Sequence, residues 1–321
     1  MKLKNKFAIG CLVQWYEIEI IEEYVESLRQ ALSVIENKEN VIVDFKLVIN
    51  QDLEKLDESQ ITMDKIITRF EKIIDGFELD VTEELVTIAD YRRWFNDYYC
   101  DKVDVLMWGE TDSLIPKQNF QVLDLLHTNN VNQKIHKYLA FFGTNKMWDE
   151  GWKPLEHPDF TDKPHTDGDF DNWWSLCYTM NLKEMNEFND KVEELDVRVV
   201  NPYKFNGCGL VISSDVIKAG VNIPKSAFFI HEDTAFMHSL IKVFDGSIPQ
   251  FIIKNILLVH NRKHPNKRMF IKGEEGIDKT DPGAQRKVHN WYSKANKMCE
   301  QNYQNLFNPN YKSFTWKDVF K

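Results

Sequence analysis

Residues 7–15 form a continuous apolar run, FAIGCLVQW, that predicts a strand entering the core. Residues 17–36 then place Ile18, Ile21, Tyr24, Val25, Leu28, Leu32 and Ile35 at helical spacing. Glu17, Glu19, Glu22 and Glu23 crowd the first turns, where the helix dipole favours negative charge. Strand followed by helix opens an α/β unit. A second strand over 41–49 ends at Asn50-Gln51-Asp52, and α/β folds meet ligands at the carboxyl ends of strands. Residues 53–80 read as a helical insertion carried by Ile61, Met63, Ile66, Ile67, Phe70, Ile73 and Ile74. Thr87-Ile88-Ala89 is a short strand candidate, 91–100 a helix, and 103–108 a buried strand ending in Gly109-Glu110-Thr111-Asp112. Pro116 opens another helix with Phe120, Leu123 and Leu126 on its apolar face. The region 138–176 reads as irregular, and loops of that length usually bind or cover something. Order returns with a helix at 181–195, a strand at 205–213 containing Gly207 and Gly209, a helix at 232–243 and a strand at 251–259. No repeat or linker divides the chain, so one mixed α/β domain with a C-terminal extension is expected.

Composition sharpens this picture. Aromatic residues make up 13% of the 321, which argues against disorder because such side chains must be buried or stacked. No apolar run reaches the roughly 18 residues of a membrane span. The five cysteines (Cys11, Cys100, Cys177, Cys208, Cys299) lack any CxxC spacing, so neither a zinc site nor a disulfide framework is indicated. Lys2, Lys4 and Lys6 precede an apolar stretch, but four residues separate Lys6 from Cys11, short of the about 7–15 of a signal peptide. A cytoplasmic location is expected. The net charge of −10 counts against non-specific coating of nucleic acid. That charge is uneven: residues 261–297 hold ten Lys and Arg against four acids.

Three segment ends carry candidate chemistry. Glu110 and Asp112 follow a buried strand, and two carboxylates so held can grip a divalent cation, although most such triplets are solvated turns. Glu232 and Asp233 open an apolar helix, where acids complement the dipole and where one could also act as general base. His260 directly follows an apolar strand, a place where histidine is more often structural than a ligand.

Their order and surroundings add to this. The stretch YRRWFNDYYCDKVDVLMWGETDSLIPKQNFQVLDLL resembles the core of GT-A glycosyltransferases, especially family 2-like enzymes. FNGCGLVISSDVIKAGVNIPKSAFFIHEDTAFMHSLIK resembles their acceptor-side segment, and LLVHNRKHPNK their late metal-binding histidine with basic residues after it. The resemblance spans about 7–265. It implies a GT-A catalytic domain over 1–265, a Rossmann-like mixed sheet flanked by helices, with residues 53–80 inserted and a Trp-rich acceptor or lid loop at 145–176. A basic extension, 266–321, would pack on the same domain.

Carried over by position, the resemblance implies that Gln14, Trp15, Tyr16 and Glu17 hold the nucleotide's base and ribose, with Asp52 on the base. Arg92 or Arg93, with Asn96, would face the nucleotide-sugar, and Lys263 its pyrophosphate. Asp112 and His260 would ligate the metal, with Glu110 near the ribose or beside the metal. Asp233 would be the catalytic base, with Glu232 the competing one. Gly207 would stand on the acceptor side; Trp148, Trp152, Trp173 and Trp174, in a loop less well matched to the family, are acceptor candidates because aromatic faces stack on sugars or bases. Two departures are visible: the acidic triplet begins with Glu, and Asn50-Gln51-Asp52 replaces the more usual double-Asp strand end.

The implied reaction is metal-dependent, inverting transfer from a nucleoside-diphosphate sugar, a UDP-sugar above others, with Mn²⁺ or Mg²⁺ offsetting charge on the leaving diphosphate. The acceptor stays open. The basic segment reads either as a cationic loop that folds over the pyrophosphate, with a solvated surface, or as a track for a polyanionic acceptor such as a hydroxylated pyrimidine in phage DNA, which would set the enzyme in a host cytoplasm. The tryptophans could stack on sugar rings or extruded bases or pack a lid. A glycan or cell-surface polysaccharide is the other acceptor class. A sugar-nucleotide or glycan-binding module without catalysis is the alternative from outside enzymology.

Overall fold

The computed structural model describes residues 1–56, 58, 61–143, 181–201, 203, 205–260 and 290–321. Strand β1 (Phe7–Gln14) is buried at every position. It pairs in parallel with β2 (Val41–Val48) on one side and β4 (Val105–Trp108) on the other, and β3 (Leu79–Thr82) continues the parallel set beyond β2. Past β4 the direction changes. β8 (Val211–Ser213) runs antiparallel to both β4 and β6 (Leu139–Gly143), β9 (Gln250–Leu257) is parallel to β6, and β7 (Val197–Val199) closes the edge. The order β3-β2-β1-β4-β8-β6-β9-β7 is a mixed eight-stranded sheet flanked by helices, the α/β architecture expected. A second, two-stranded sheet pairs β5 (Ser113–Leu114) with β10 (Val259–His260).

Burial of β1 on both faces explains its unbroken apolar run. Its odd positions, Phe7, Ile9, Cys11 and Val13, join one core with Tyr24, Val25 and Leu28 of α1 (Ile21–Ser33) and Phe120 of α4 (Asn119–Asn132). The even positions Ala8 and Leu12 join another with Tyr91 and Phe95 of α3 (Ile88–Tyr99) and Phe236 of α7 (Glu232–Phe244). Gly10 lets α3 sit close, since a Cβ there would lie 2.6 Å from the Phe95 ring.

Several local expectations change. Thr87 begins no strand: it caps α3, accepting the Asp90 N–H, and its hydroxyl donates to Phe228 O at 2.6 Å. Residues 139–143 are a fully buried strand inside the region read as irregular, where the Asp-, Pro- and Trp-rich residues that follow dominate the local composition. Of 205–213 only Val211–Ser213 enters the sheet, since Gly209 takes a left-handed φ of +69° and Asn206 closes a turn on Cys208. The 53–80 insertion is helical at α2 (Met63–Ile73), but its last residues enter edge strand β3. A six-residue 3-10 turn, Trp15–Ile20, precedes α1.

Three further helices are α5 (Leu182–Asn189), α6 (Ser214–Lys218) and α8 (Asn290–Gln304), and a short α9 (Trp316–Val319) follows. Ala295, Cys299 and Val319 from α8 and α9 bury Phe228 and Phe229, just before α7. Among the described residues no helix is long and apolar enough to cross a membrane.

Candidate functional site

Because β1 and β4 run in parallel, their carboxyl ends lie side by side, and Gly109 N–H donates to Gly10 O at 2.8 Å. The turn Glu110–Asp112 therefore leaves the sheet at the point where β4 meets the antiparallel half. Ser113 closes that turn, its hydroxyl donating to Glu110 O at 2.9 Å. Ser113 also pairs with His260 across the small sheet, so strand pairing sets His260 one position from the register of Asp112. Two segments almost 150 residues apart in sequence meet there through strand pairing and through the packing of Leu114 with Val259.

Arg92 is the centre of the cluster. It is 2% exposed, and its two terminal nitrogens donate to Glu232 Oε1 and to Glu110 Oε1, each at 2.6 Å. A third bond goes to Gly207 O at 3.1 Å. The guanidinium lies 4.7 Å from the centre of the Trp108 ring, a cation–π contact. Trp108 is held in turn: its indole N–H donates to Asn96 Oδ1, and Asn96 Nδ2 donates to Asn222 Oδ1, each at 2.9 Å. Burial works against the charge on Arg92, but Glu110 and then Glu232 outweigh it and hold its pKa above the usual value.

Arg93 points elsewhere. It donates to the carbonyls of Ile223, Pro224 and Ala227 and pairs with Asp90, so it braces the loop before α7. Asn96 is fully buried with both ends of its amide engaged.

The two acids at the start of α7 are distinct. Glu232 is buried on Arg92, and its pKa is pushed up to about 7, by burial first and then by Asp233, against the pull of Arg92. Asp233 is partly exposed. Its Oδ1 accepts the Thr234 N–H at 2.7 Å, and its Oδ2 lies 3.4 Å from where a Cβ on Gly207 would stand. That same Cβ would come within 2.7 Å of Arg92 Nη1, so only glycine leaves room at this wall.

Beneath the acidic turn lie the buried thiols of Cys11 and Cys208. Both are pushed well up, by burial first and then by neighbouring carboxylates, so both stay protonated and neither offers a thiolate. Among the described residues no three His, Cys, Asp or Glu side chains gather as a ready metal cage.

The turn after β1 is more enclosed than its sequence suggests. Trp15 and Tyr16 are buried and meet edge to face at 5.6 Å, while Gln14 donates to Val86 O at 2.9 Å and exchanges capping bonds with Glu17. Asp52 is exposed on the turn after β2, its N–H bonded to Asn50 Oδ1. Trp148, Trp152, Trp173 and Trp174, expected on the acceptor side, and Lys263, expected at the pyrophosphate, lie outside the described residues. Trp108 and Asn222, which carry Arg92 from behind, have no signature in the sequence: one reads as a core aromatic and the other as a loop amide.

No family model matches the sequence, and no curated protein matches it. Among solved structures, S. aureus TarS 1–349 is similar over 94% of this chain and 72% of its own, at 11% identity and a TM-score of 0.45. A mycobacterial protein is similar over 80% of this chain and 67% of its own, at 8% identity and a TM-score of 0.40. At these values neither likeness bears on activity or substrate.

Proposed function

We propose that the protein is a glycosyltransferase that moves a sugar from a nucleoside-diphosphate sugar to an acceptor hydroxyl by single displacement. The observation that carries this reading is the contact of Arg92 with both Glu110 and Glu232, which joins the acidic turn after β4 to the acidic start of α7. In this reading Asp233 is the base. It is partly exposed beside Gly207, and a carboxylate there can take the proton of a hydroxyl that approaches along that wall. Glu232 is committed to Arg92 and holds the start of the helix.

A divalent cation fits the charge of the site. The guanidinium of Arg92 faces Glu110, Glu232 and Asp233, and Asp112 stands on the same acidic turn as Glu110, so even with Glu232 partly protonated near neutral pH the acids are in excess and would repel a diphosphate on their own. Asp112 and His260 would hold the ion, with water and phosphate oxygens completing its shell, as Mg²⁺ and Mn²⁺ sites on nucleotides commonly do. Bound there, it would offset charge on the departing diphosphate. Trp15 and Tyr16 would support the base-binding turn from behind rather than stack on the base.

Isothermal titration with UDP, with and without Mn²⁺, beside a UDP-sugar hydrolysis assay tests the reading. Metal-dependent binding together with turnover is expected. Binding without turnover on any acceptor would favour a sugar-nucleotide-binding module instead. Mass spectrometry after incubation with hydroxymethylated DNA and, separately, with a glycan panel identifies the acceptor class.

A further inference from the structure

We propose that Tyr303, on α8, is a positioning residue for Asp233, acting through His231; the proposal rests on the role of Asp233 as base. His231 immediately precedes α7 with φ +64° and ψ +21°, a left-handed conformation that a non-glycine residue adopts only when its surroundings hold it. Helix starts ordinarily have an extended residue at this place whose side chain caps the first turn. His231 supplies no such bond, and Asp233 accepts the amide of the next residue instead. The direction in which Glu232 and Asp233 leave the turn is therefore set from outside the helix.

α8 packs against this turn. The Tyr303 ring stacks on His231, centroids 5.7 Å apart at 28°, and also meets His238 at 5.5 Å. His231 and His238 are seven residues apart and share one face of the helix. His238 in turn meets Phe205 edge to face at 5.2 Å, two residues before Gly207. Tyr303 thus sits at the joint between the segments that bear Asp233 and Gly207. The same C-terminal region grips the chain leading into the turn. Asn302 donates to Ser226 O at 2.8 Å and Trp316 to Phe228 O at 3.2 Å.

Two measurements on Tyr303→Ala test this. The kcat for transfer should fall about tenfold or more while donor KM moves less than about twofold, because the base is displaced and the donor contacts are not. Hydrogen exchange at the Ala235 amide, which donates to His231 O at 2.8 Å, should speed up about tenfold with β1 amides unchanged. Tyr303→Phe, which keeps the ring, should restore both. In a His231→Gly background Tyr303→Ala should add less than about a twofold effect, since the partner through which it acts is gone. If Tyr303→Ala does not fold, Tyr303→Leu carries the same expectations. An unchanged Ala235 amide, or an unchanged kcat in a folded variant, overturns the proposal. Should the wild-type protein turn over no nucleotide-sugar, the role of Asp233 falls, and the exchange measurement alone decides whether Tyr303 sets the turn.

Discussion

Arg92 and Glu232 meet at 2.6 Å in a buried ion pair, and the other terminal nitrogen of Arg92 reaches Glu110 at the same distance. One side chain of α3 thereby locks the turn after β4 to the first residue of α7. Its Nε is buried with no hydrogen-bond partner among the described residues, so the two ion pairs and the Trp108 face must outweigh that loss.

Removing the cation leaves the buried Glu232 and the partly exposed Glu110 facing each other. Arg92→Met should destabilise the protein by about 3–5 kcal/mol in urea unfolding at neutral pH. Arg92→Lys should recover little, because an ammonium cannot span two carboxylates and stack on an indole as a planar fork does. Arg93→Met should cost about 1–3 kcal/mol through lost bonds to loop carbonyls and leave UDP affinity unchanged.

Glu232 gives a pH signature. Its pKa is about 7 in the folded protein, raised by burial and Asp233, against 4.5 for an ordinary glutamate. Between those values the folded state holds a proton that the unfolded chain has released, so stability falls as pH rises through this window and levels off above it. Thermal melting from pH 4.5 to 8 should show that slope, and Glu232→Gln should flatten it. A slope that persists in the variant would assign the proton to another group.

Gly207→Ala probes the wall between Arg92 and Asp233. The added methyl would stand 2.7 Å from Arg92 Nη1 and 3.3 Å from Asp233 Cβ, and Arg92 is pinned by both of its acids. A stability loss of about 1–3 kcal/mol is expected from overpacking. Transfer should fall more than stability explains, measured as kcat well below the melting temperature.

Asp233→Asn keeps the size of the side chain and removes its basicity. Transfer should be abolished while UDP binding by titration stays within about twofold, the outcome for a group that acts only on the acceptor. Near-wild-type turnover would remove Asp233 from the mechanism.

Asp112→Asn should weaken Mn²⁺-dependent UDP binding by about tenfold or more, the usual scale for losing a ligand interaction at a metal. Binding without Mn²⁺ should change little. Equal weakening in both conditions would mean that Asp112 acts on the nucleotide and not through an ion.

Much of this was legible from residue patterns. The apolar runs of β1 and of the short strand before Glu110 stand out as unbroken hydrophobic segments bounded by polar residues, and α1 stands out by its helical stripe. The carboxylates at 110, 112, 232 and 233 were legible as polar residues set where apolar elements end. β6 was not, because its five residues open a stretch rich in Asp, Pro, Gly and Trp whose composition reads as loop. Thr87 was misread because a helix cap and a strand share the same β-branched residues.

By itself the sequence determined β1, β2, β4, β9 and the helices α1 to α5 and α7, and which acids stand at their ends, because apolar runs, helical stripes and segment ends are properties of neighbouring residues. Only the tertiary structure separated Arg92 from Arg93. Adjacent positions on a helix point about 100° apart, and it takes the sheet, α7 and the 223–227 loop to set Arg92 on Glu110 and Glu232 and Arg93 on the loop carbonyls. The same holds for Tyr303: its place against His231 depends on a contact across 72 residues of chain, and no local pattern encodes such a meeting.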